Sequence, residues 1–317
     1  MTPAGDAKLR NGRNRPGRST VVPVMTARRS LLCAATAALT LLSATLLSAC
    51  ARPGGDPGAT PEASSPAAPA AGLVLRMTQE GGLVAPERIP GRSPQVSVYA
   101  DGRVLTEGPQ IMIYPGPALA DLQVLDIGAS RAAGLVTEAV AAGVRTGTDV
   151  GQPAVADAPA TRFFVVSGGQ EQSVSVPALG EAAPDDPRLT PAQRDARARL
   201  NAFAGKLRDL AAAPGAKPYR AERVAALAEP WSAPDDGLPG TPSPVAWPGP
   251  PLPGAPLAPG VKRGCVTATG EQAAAVLAAA ATAKQNTPWT SGAEKYRVTF
   301  RPLLPDETGC ADLKKVR

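Results

Sequence analysis

Few residues in this chain could carry out chemistry, because it contains no histidine. The absence excludes a Ser-His-Asp or Cys-His arrangement, a His-containing zinc site and the commonest general base at neutral pH. Adjacent carboxylates remain at Asp185-Asp186, Asp235-Asp236 and Asp306-Glu307, and two carboxylates suffice for glycoside cleavage. Each pair lies beside a proline in a predicted loop. We therefore interpret all three pairs as solvated side chains.

Two further patterns that could support catalysis or phosphate binding are incomplete. Ser291 and Lys295 lack the Ser-x-x-Lys spacing of a serine-lysine dyad. The Gly-Gly pairs at 81–82 and 168–169 lack the Lys-Ser/Thr that follows the glycines of a phosphate-binding loop. We therefore expect no catalytic residue, no metal and no cofactor.

Cys50 ends the longest apolar stretch of the sequence. Arg28 and Arg29 precede an apolar run at 31–47, which gives the three-part order of a secretory signal. The motif Leu47-Ser48-Ala49-Cys50 resembles the lipobox of bacterial lipoproteins. The resemblance implies that the Cys50 thiol receives a diacylglycerol, that the preceding peptide is removed, and that the protein resides on the outer face of the cytoplasmic membrane.

Several alternatives for this N-terminal segment stay open. An uncleaved transmembrane helix is one, although the run of 17 residues at 31–47 is shorter than the roughly 20 that span a bilayer. The paired arginines fit either general or twin-arginine export. Translation could also start at Met25, because residues 1–24 form a polar, arginine-rich extension.

The positive charge of the chain belongs to its leader. The net charge is +6, but residues 1–49 hold seven of the 33 Lys and Arg and one of the 27 Asp and Glu, which leaves 26 of each. A neutral mature chain has no basic surplus for phosphate groups, so we expect no nucleic-acid partner.

Two cysteines remain once Cys33 leaves with the signal and Cys50 carries lipid. In an oxidising compartment, an isolated pair such as Cys265 and Cys310 is most simply a disulfide. A metal or redox pair is the weaker alternative, because the two cysteines are distant in sequence and histidine is absent.

Alternating apolar residues predict several strands. The segments 73–77 and 95–100 are strand-like, and Asp101-Gly102 predicts a hairpin to 103–106. Further strands are expected at 122–125, 161–166, 172–176 and 295–300. The segment 222–229 fits a strand or a helix, and we favour a strand because Pro230 ends it and a proline-rich region follows. Helices are expected at 129–142, at 190–213 and from Gly270 to about Lys284. Capping boxes are predicted at Thr190 and Thr269.

The segment 230–260 contains eleven prolines together with Trp231 and Trp247. Such a loop could dock in an aromatic-lined groove or stack on a sugar or peptide, which makes the two tryptophans candidate binding residues. The alternative is that the loop packs its aromatic side chains onto its own domain.

These elements indicate an α+β fold, with an antiparallel sheet and Ala-rich helices on one face. Strand, helix and aromatic strand recur at 122–166 and 265–304, which suggests a duplicated strand-strand-helix-strand unit. The predicted organisation is a leader and signal peptide at 1–49, a lipidated Cys50 with a Pro/Ala-rich tether at 50–72, and a folded region at 73–317, with a subdivision into 73–180 and 215–317 around the helix at 190–213.

Composition and the tether after Cys50 also resemble those of secreted lipoproteins of high-GC Gram-positive bacteria. We therefore expect a non-enzymatic, membrane-anchored surface lipoprotein that binds an envelope protein, an envelope polymer or a small ligand. A carboxylate-dependent hydrolase of envelope polymers is one alternative. An envelope assembly or inhibitor protein that uses the Pro-rich loop is another.

Overall fold

The computed structural model of the protein describes residues 72–84, 86–233 and 242–314. All of them belong to one compact unit, Ala63–Arg317. Their fold is mixed, with three α-helices and two mostly antiparallel sheets. The signal segment, Cys50 and almost all of the tether lie outside the described residues. Predictions about them are therefore not addressed by the fold.

Seven antiparallel strands form the first sheet. The predicted hairpin at Asp101-Gly102 is confirmed, since Val98 pairs with Val104. In chain order the strands are β1 (Leu73–Gly81), β2 (Val96–Tyr99), β3 (Arg103–Glu107), β4 (Leu122–Asp126), β5 (Pro159–Ser167), β6 (Gln170–Pro177) and β7 (Lys217–Pro218). Their spatial order is β6-β5-β1-β2-β3-β4-β7.

Two helices, α1 (Ala129–Ala142) and α2 (Pro191–Ala211), share one apolar core with this sheet. The Thr190 hydroxyl accepts from the backbone N–H of Gln193, and the Gln193 side chain accepts from the N–H of Thr190, so the predicted capping box is confirmed. The rings of Phe163 on β5 and Phe203 on α2 lie 6.1 Å apart. Helix α2 therefore belongs to the layer on the first sheet.

The second sheet is built from the later part of the chain. Its strands are β8 (Arg223–Pro230), β9 (Val245–Ala246), β10 (Ala255–Pro256), β11 (Gly264–Thr269), β12 (Pro288–Ser291) and β13 (Glu294–Pro302), with helix α3 (Gly270–Thr282) between β11 and β12. The spatial order is β10-β11-β8-β13-β12-β9, and only the β9–β12 pair is parallel. Val276 of α3 shares a core with Trp289 and Phe300.

The segment after β13 contacts the opposite face of each sheet, where the described helices do not pack. Leu304 clusters with Tyr99 and Leu122 of the first sheet. Leu303 and Cys310 cluster with Leu227 of the second. The predicted disulfide between Cys265 and Cys310 is confirmed and ties this segment to β11. The C-terminal segment therefore connects the two sheets.

The structure has two sheets where one was predicted. The duplicated unit is not confirmed, because β4 and β5 are separated by three strands, whereas β11 and β13 flank the single strand β8. The second capping box is wrong: Thr269 is the N-cap of α3 but makes no side-chain capping bond. The subdivision at 73–180 and 215–317 stays a prediction.

Candidate functional site

Arg76 lies on the inter-sheet face of β1. Its neighbours Leu75 and Met77 point into the core beneath α1 and α2, so strand alternation turns Arg76 to the other side. Only 5% of Arg76 is exposed. Its Nε donates to Ser97 Oγ at 3.1 Å, and its Nη2 donates to Asp306 at 2.8 and 3.1 Å. The Tyr99 hydroxyl donates to the same carboxylate at 2.7 Å.

Arg301 near the end of β13 forms a second buried pair beside the first. Its Nη2 donates to Glu307 Oε1 at 2.8 Å, and its Nε donates to the carbonyl of Arg92 at 3.2 Å. Its Nη1 donates to the Pro302 carbonyl. The other Glu307 oxygen accepts from the backbone N–H of Leu304 at 2.8 Å. Every nitrogen of this guanidinium and both oxygens of this carboxylate are thus satisfied.

The two ion pairs line a cavity of about 360 Å³, a volume in the lower part of the range for small-molecule sites. Thr78 and Glu80 of β1 form one side of the lining, and Ile89 and Arg92 contribute from the 3₁₀ turn Pro86–Gly91 and its continuation. Leu313 adds an apolar contact from the C-terminal segment. The cavity is therefore bounded by elements from both sheets.

One donor of the buried pairs remains available. Within the described residues, Arg76 Nη1 makes no hydrogen bond. This nitrogen is also not fully enclosed by protein atoms. Because Arg76 lines the cavity, we conclude that this nitrogen is accessible from it. The exposed Arg92 adds a second positive charge. Glu80 also lines the cavity, but its carboxylate lies 3.8 Å from Arg162 Nε and accepts from the Ser175 hydroxyl at 3.3 Å. The cavity thus offers positive charge to a polar ligand.

The surroundings of the two pairs keep Tyr99 in its hydrogen-bond-donating form. Burial raises the pKa of Tyr99 above its ordinary value, and the adjacent Asp306 carboxylate raises it further. Burial lowers the pKa of Arg301, and Glu307 opposes that shift. Both carboxylates accept from guanidinium groups, so neither is placed as a free general acid or base.

The structure packs one of the two predicted binding tryptophans into a core. Trp247 packs with Trp289 at 5.8 Å and Phe300 at 6.1 Å, in the core beneath α3, and its Nε1 donates to the Pro250 carbonyl. Trp231 directly follows β8; its backbone N–H donates to the Lys295 carbonyl at 3.0 Å, and its Nε1 is enclosed without a hydrogen-bond partner among the described residues. Part of the Pro-rich segment, 234–241, lies outside the described residues, so a binding role for this loop stays a prediction.

The sequence interpretation of Asp306-Glu307 as solvated side chains is wrong. Both side chains are at least 87% buried and pair with arginines. The available signal was on the arginines: Arg76 interrupts the apolar run Leu73-Val74-Leu75, and Arg301 follows Phe300 before Leu303. A strand buried on both faces leaves an internal arginine no route to water, so the arginine requires a buried acceptor.

Asp186, from another of the adjacent carboxylate pairs, is also buried. It accepts from the backbone N–H groups of Ala154 and Arg188.

Comparisons with protein-family models, with curated proteins and with solved structures found no significant match to the chain. In the part that the structure describes, no helix is long and apolar enough to cross a membrane. The same part contains no group of three His, Cys, Asp or Glu side chains arranged to hold a metal ion.

Proposed function

We propose that the protein is a non-enzymatic binding protein, held on the outer face of the cytoplasmic membrane by a lipid on Cys50, with the Arg76 cavity as its binding site. The observation that carries this proposal is the buried Arg76–Asp306 pair, which lines a cavity of about 360 Å³. Asp306 compensates the charge of Arg76 and holds its guanidinium group in place. A preorganised donor is what a polar ligand needs for orientation.

Two further features support the location. The motif Leu47-Ser48-Ala49-Cys50 supports lipidation, and the Cys265–Cys310 disulfide supports an oxidising compartment. The hydrolase alternative gains no comparable support, because the buried carboxylates of the cavity are engaged by arginines.

Anchoring is tested by Cys50→Ala in the full chain. We expect this variant to lose lipid labelling and to leave the membrane fraction, because its thiol is the proposed attachment point. The wild type, fractionated in parallel, is the control. Retention of the variant in the membrane with its leader attached would instead support the uncleaved helix.

Binding is tested by chemical cross-linking in intact cells, followed by capture of the anchored protein. Thr78→Trp places a bulky ring in the cavity, and Thr137→Trp on the exposed side of α1 is its matched control. We expect one envelope protein or polymer to be captured by the wild type and by Thr137→Trp, but not by Thr78→Trp. Equal capture by all three forms would exclude the cavity as the site, and capture by none would contradict the binding of a protein or polymer.

A further inference from the structure

The loop between β3 and β4 displays large apolar side chains to solvent. Residues 108–120 contain no charged side chain. Ile111, Met112 and Ile113 are 62%, 98% and 51% exposed, and Tyr114 is 60% exposed. Single exposed apolar residues are ordinary, but a contiguous apolar patch on a soluble domain marks an interaction surface. We call residues 111–114 the apolar tip.

The chain around the apolar tip is held in place at several points. The backbone N–H of Gly108 donates to the Asp121 carbonyl at 2.7 Å, which closes the loop where β3 and β4 end. The N–H of Ala118 donates to the Ala283 carbonyl at 3.0 Å, just beyond α3. The N–H of Gln285 donates to the Gly116 carbonyl at 2.9 Å. The fold therefore presents the tip on a fixed base.

Strand directions place other exposed apolar residues at the same end of the first sheet. Strands β1 and β3 are both antiparallel to β2, so they run in the same direction. Both therefore finish at the end of the sheet where the loop with the apolar tip begins. Leu83, which follows β1, is 88% exposed, and Ile89 lies in the next turn. Two separate connections thus contribute apolar side chains to one end of the sheet.

We propose that the apolar tip inserts into the interfacial region of the phospholipid bilayer. The tip has too few residues for a stable protein interface, which needs about 800 Å² and some 20 residues from each partner. Interfacial insertion, in contrast, requires only a few apolar side chains, and tyrosine is enriched at the membrane–water boundary. The proposal rests on the proposed function for one point, that the domain is held near a membrane.

The number of residues in the tether is compatible with this placement. The tether joins β1 at Leu73, the end of the sheet opposite the tip. The nine residues of β1 span roughly 30 Å. The 22 residues at 51–72 reach up to roughly 70 Å when extended. The tether is therefore long enough for the far end of the sheet to face the bilayer.

The test uses the compact unit 63–317, which has its own cores and disulfide and carries neither leader nor lipid. The unit is mixed with phosphatidylcholine vesicles or with phosphatidylglycerol vesicles, and flotation measures its partition. We compare the wild type with a tip variant, Ile111→Ser/Met112→Ser/Ile113→Ser. Val245→Ser/Val261→Ser changes exposed apolar residues elsewhere and is the matched control. Circular dichroism establishes that each variant is folded.

We expect the wild type and the control to float with both vesicle types, and the tip variant to partition at least about tenfold more weakly, because three apolar side chains are lost. No flotation of the wild type, or equal flotation of the tip variant, would overturn the proposal. Binding only to phosphatidylglycerol would also overturn it, since that result indicates charge. Cross-linking of a protein through position 112 without flotation would favour a protein partner. Lipid anchoring is tested independently, by membrane fractionation of Cys50→Ala in the full chain, so its failure can be distinguished from failure of this proposal.

Discussion

Removing the Asp306 carboxylate is predicted to destabilise the protein strongly. Asp306→Ala leaves the guanidinium of Arg76, 5% exposed, without its counter-charge and removes the acceptor of the Tyr99 hydroxyl. Removing one partner of a buried ion pair typically costs about 3–5 kcal/mol. At about 2–4 °C per kcal/mol for a domain of this size, the melting temperature should fall by about 6–20 °C.

A second substitution separates the ion pair from other effects of the mutation. Arg76→Met removes the buried charge itself, so the double variant Arg76→Met/Asp306→Ala should be more stable than Asp306→Ala alone. Well-packed apolar side chains often replace a buried ion pair without net loss. Both variants lack the Asp306 carboxylate, so any cavity left by that side chain is present in both. A higher stability of the double variant would therefore be due to removal of the unpaired Arg76 charge, and this difference is the decisive part of the prediction.

Glu138→Ala is the matched control, since it breaks ion pairs of similar length at the surface. Glu138 lies 2.6 Å from Arg131 and 3.2 Å from Lys206, whose side chains are 50% and 61% exposed. Exposed pairs contribute about 0–1 kcal/mol. Urea unfolding of the disulfide-bonded unit 63–317 gives all four free energies. The reasoning is refuted if Asp306→Ala costs no more than Glu138→Ala, or if adding Arg76→Met destabilises the protein further.

Two further predictions concern the disulfide and the response to acid. Cys265→Ser/Cys310→Ser opens a loop with a sequence separation of 45 and should lower the free energy of unfolding by about 4 kcal/mol in the chain-entropy model; an unchanged urea midpoint would contradict this. Hydrogen bonds from Arg131, and secondarily from Lys206, lower the pKa of Glu138. The ionised Glu138 carboxylate therefore stabilises the folded protein fully above its unfolded-state pKa. This stabilisation is lost as the pH falls through the lowered pKa of the folded state. Glu138→Gln should accordingly reduce the loss of stability between pH 7 and pH 3, and identical pH profiles would refute it.

Elements with local signals could be predicted from the sequence. Asp101-Gly102 set the hairpin, and Thr190 with Gln193 set the start of α2, because the interacting groups lie within a few residues. Thr269 shows the limit of this reasoning. Gly270, the first residue of α3, has a φ of 55°, so the chain leaves helical geometry where the capping bond would have to form.

The candidate site could not be predicted in the same way, because its partners are far apart in sequence. Asp306 reaches Arg76 across 230 residues, and no local pattern at Asp306-Glu307 distinguishes a buried pair from a solvated one. The sequence does constrain the arginines, since an arginine inside an apolar strand needs an acceptor. Two such arginines, Arg76 and Arg301, pair with Asp306 and Glu307, which precede Cys310 in the segment that the disulfide ties to β11. The need for buried acceptors could therefore be inferred from the sequence, whereas the identity of those acceptors and the cavity beside them depend on how the two sheets meet.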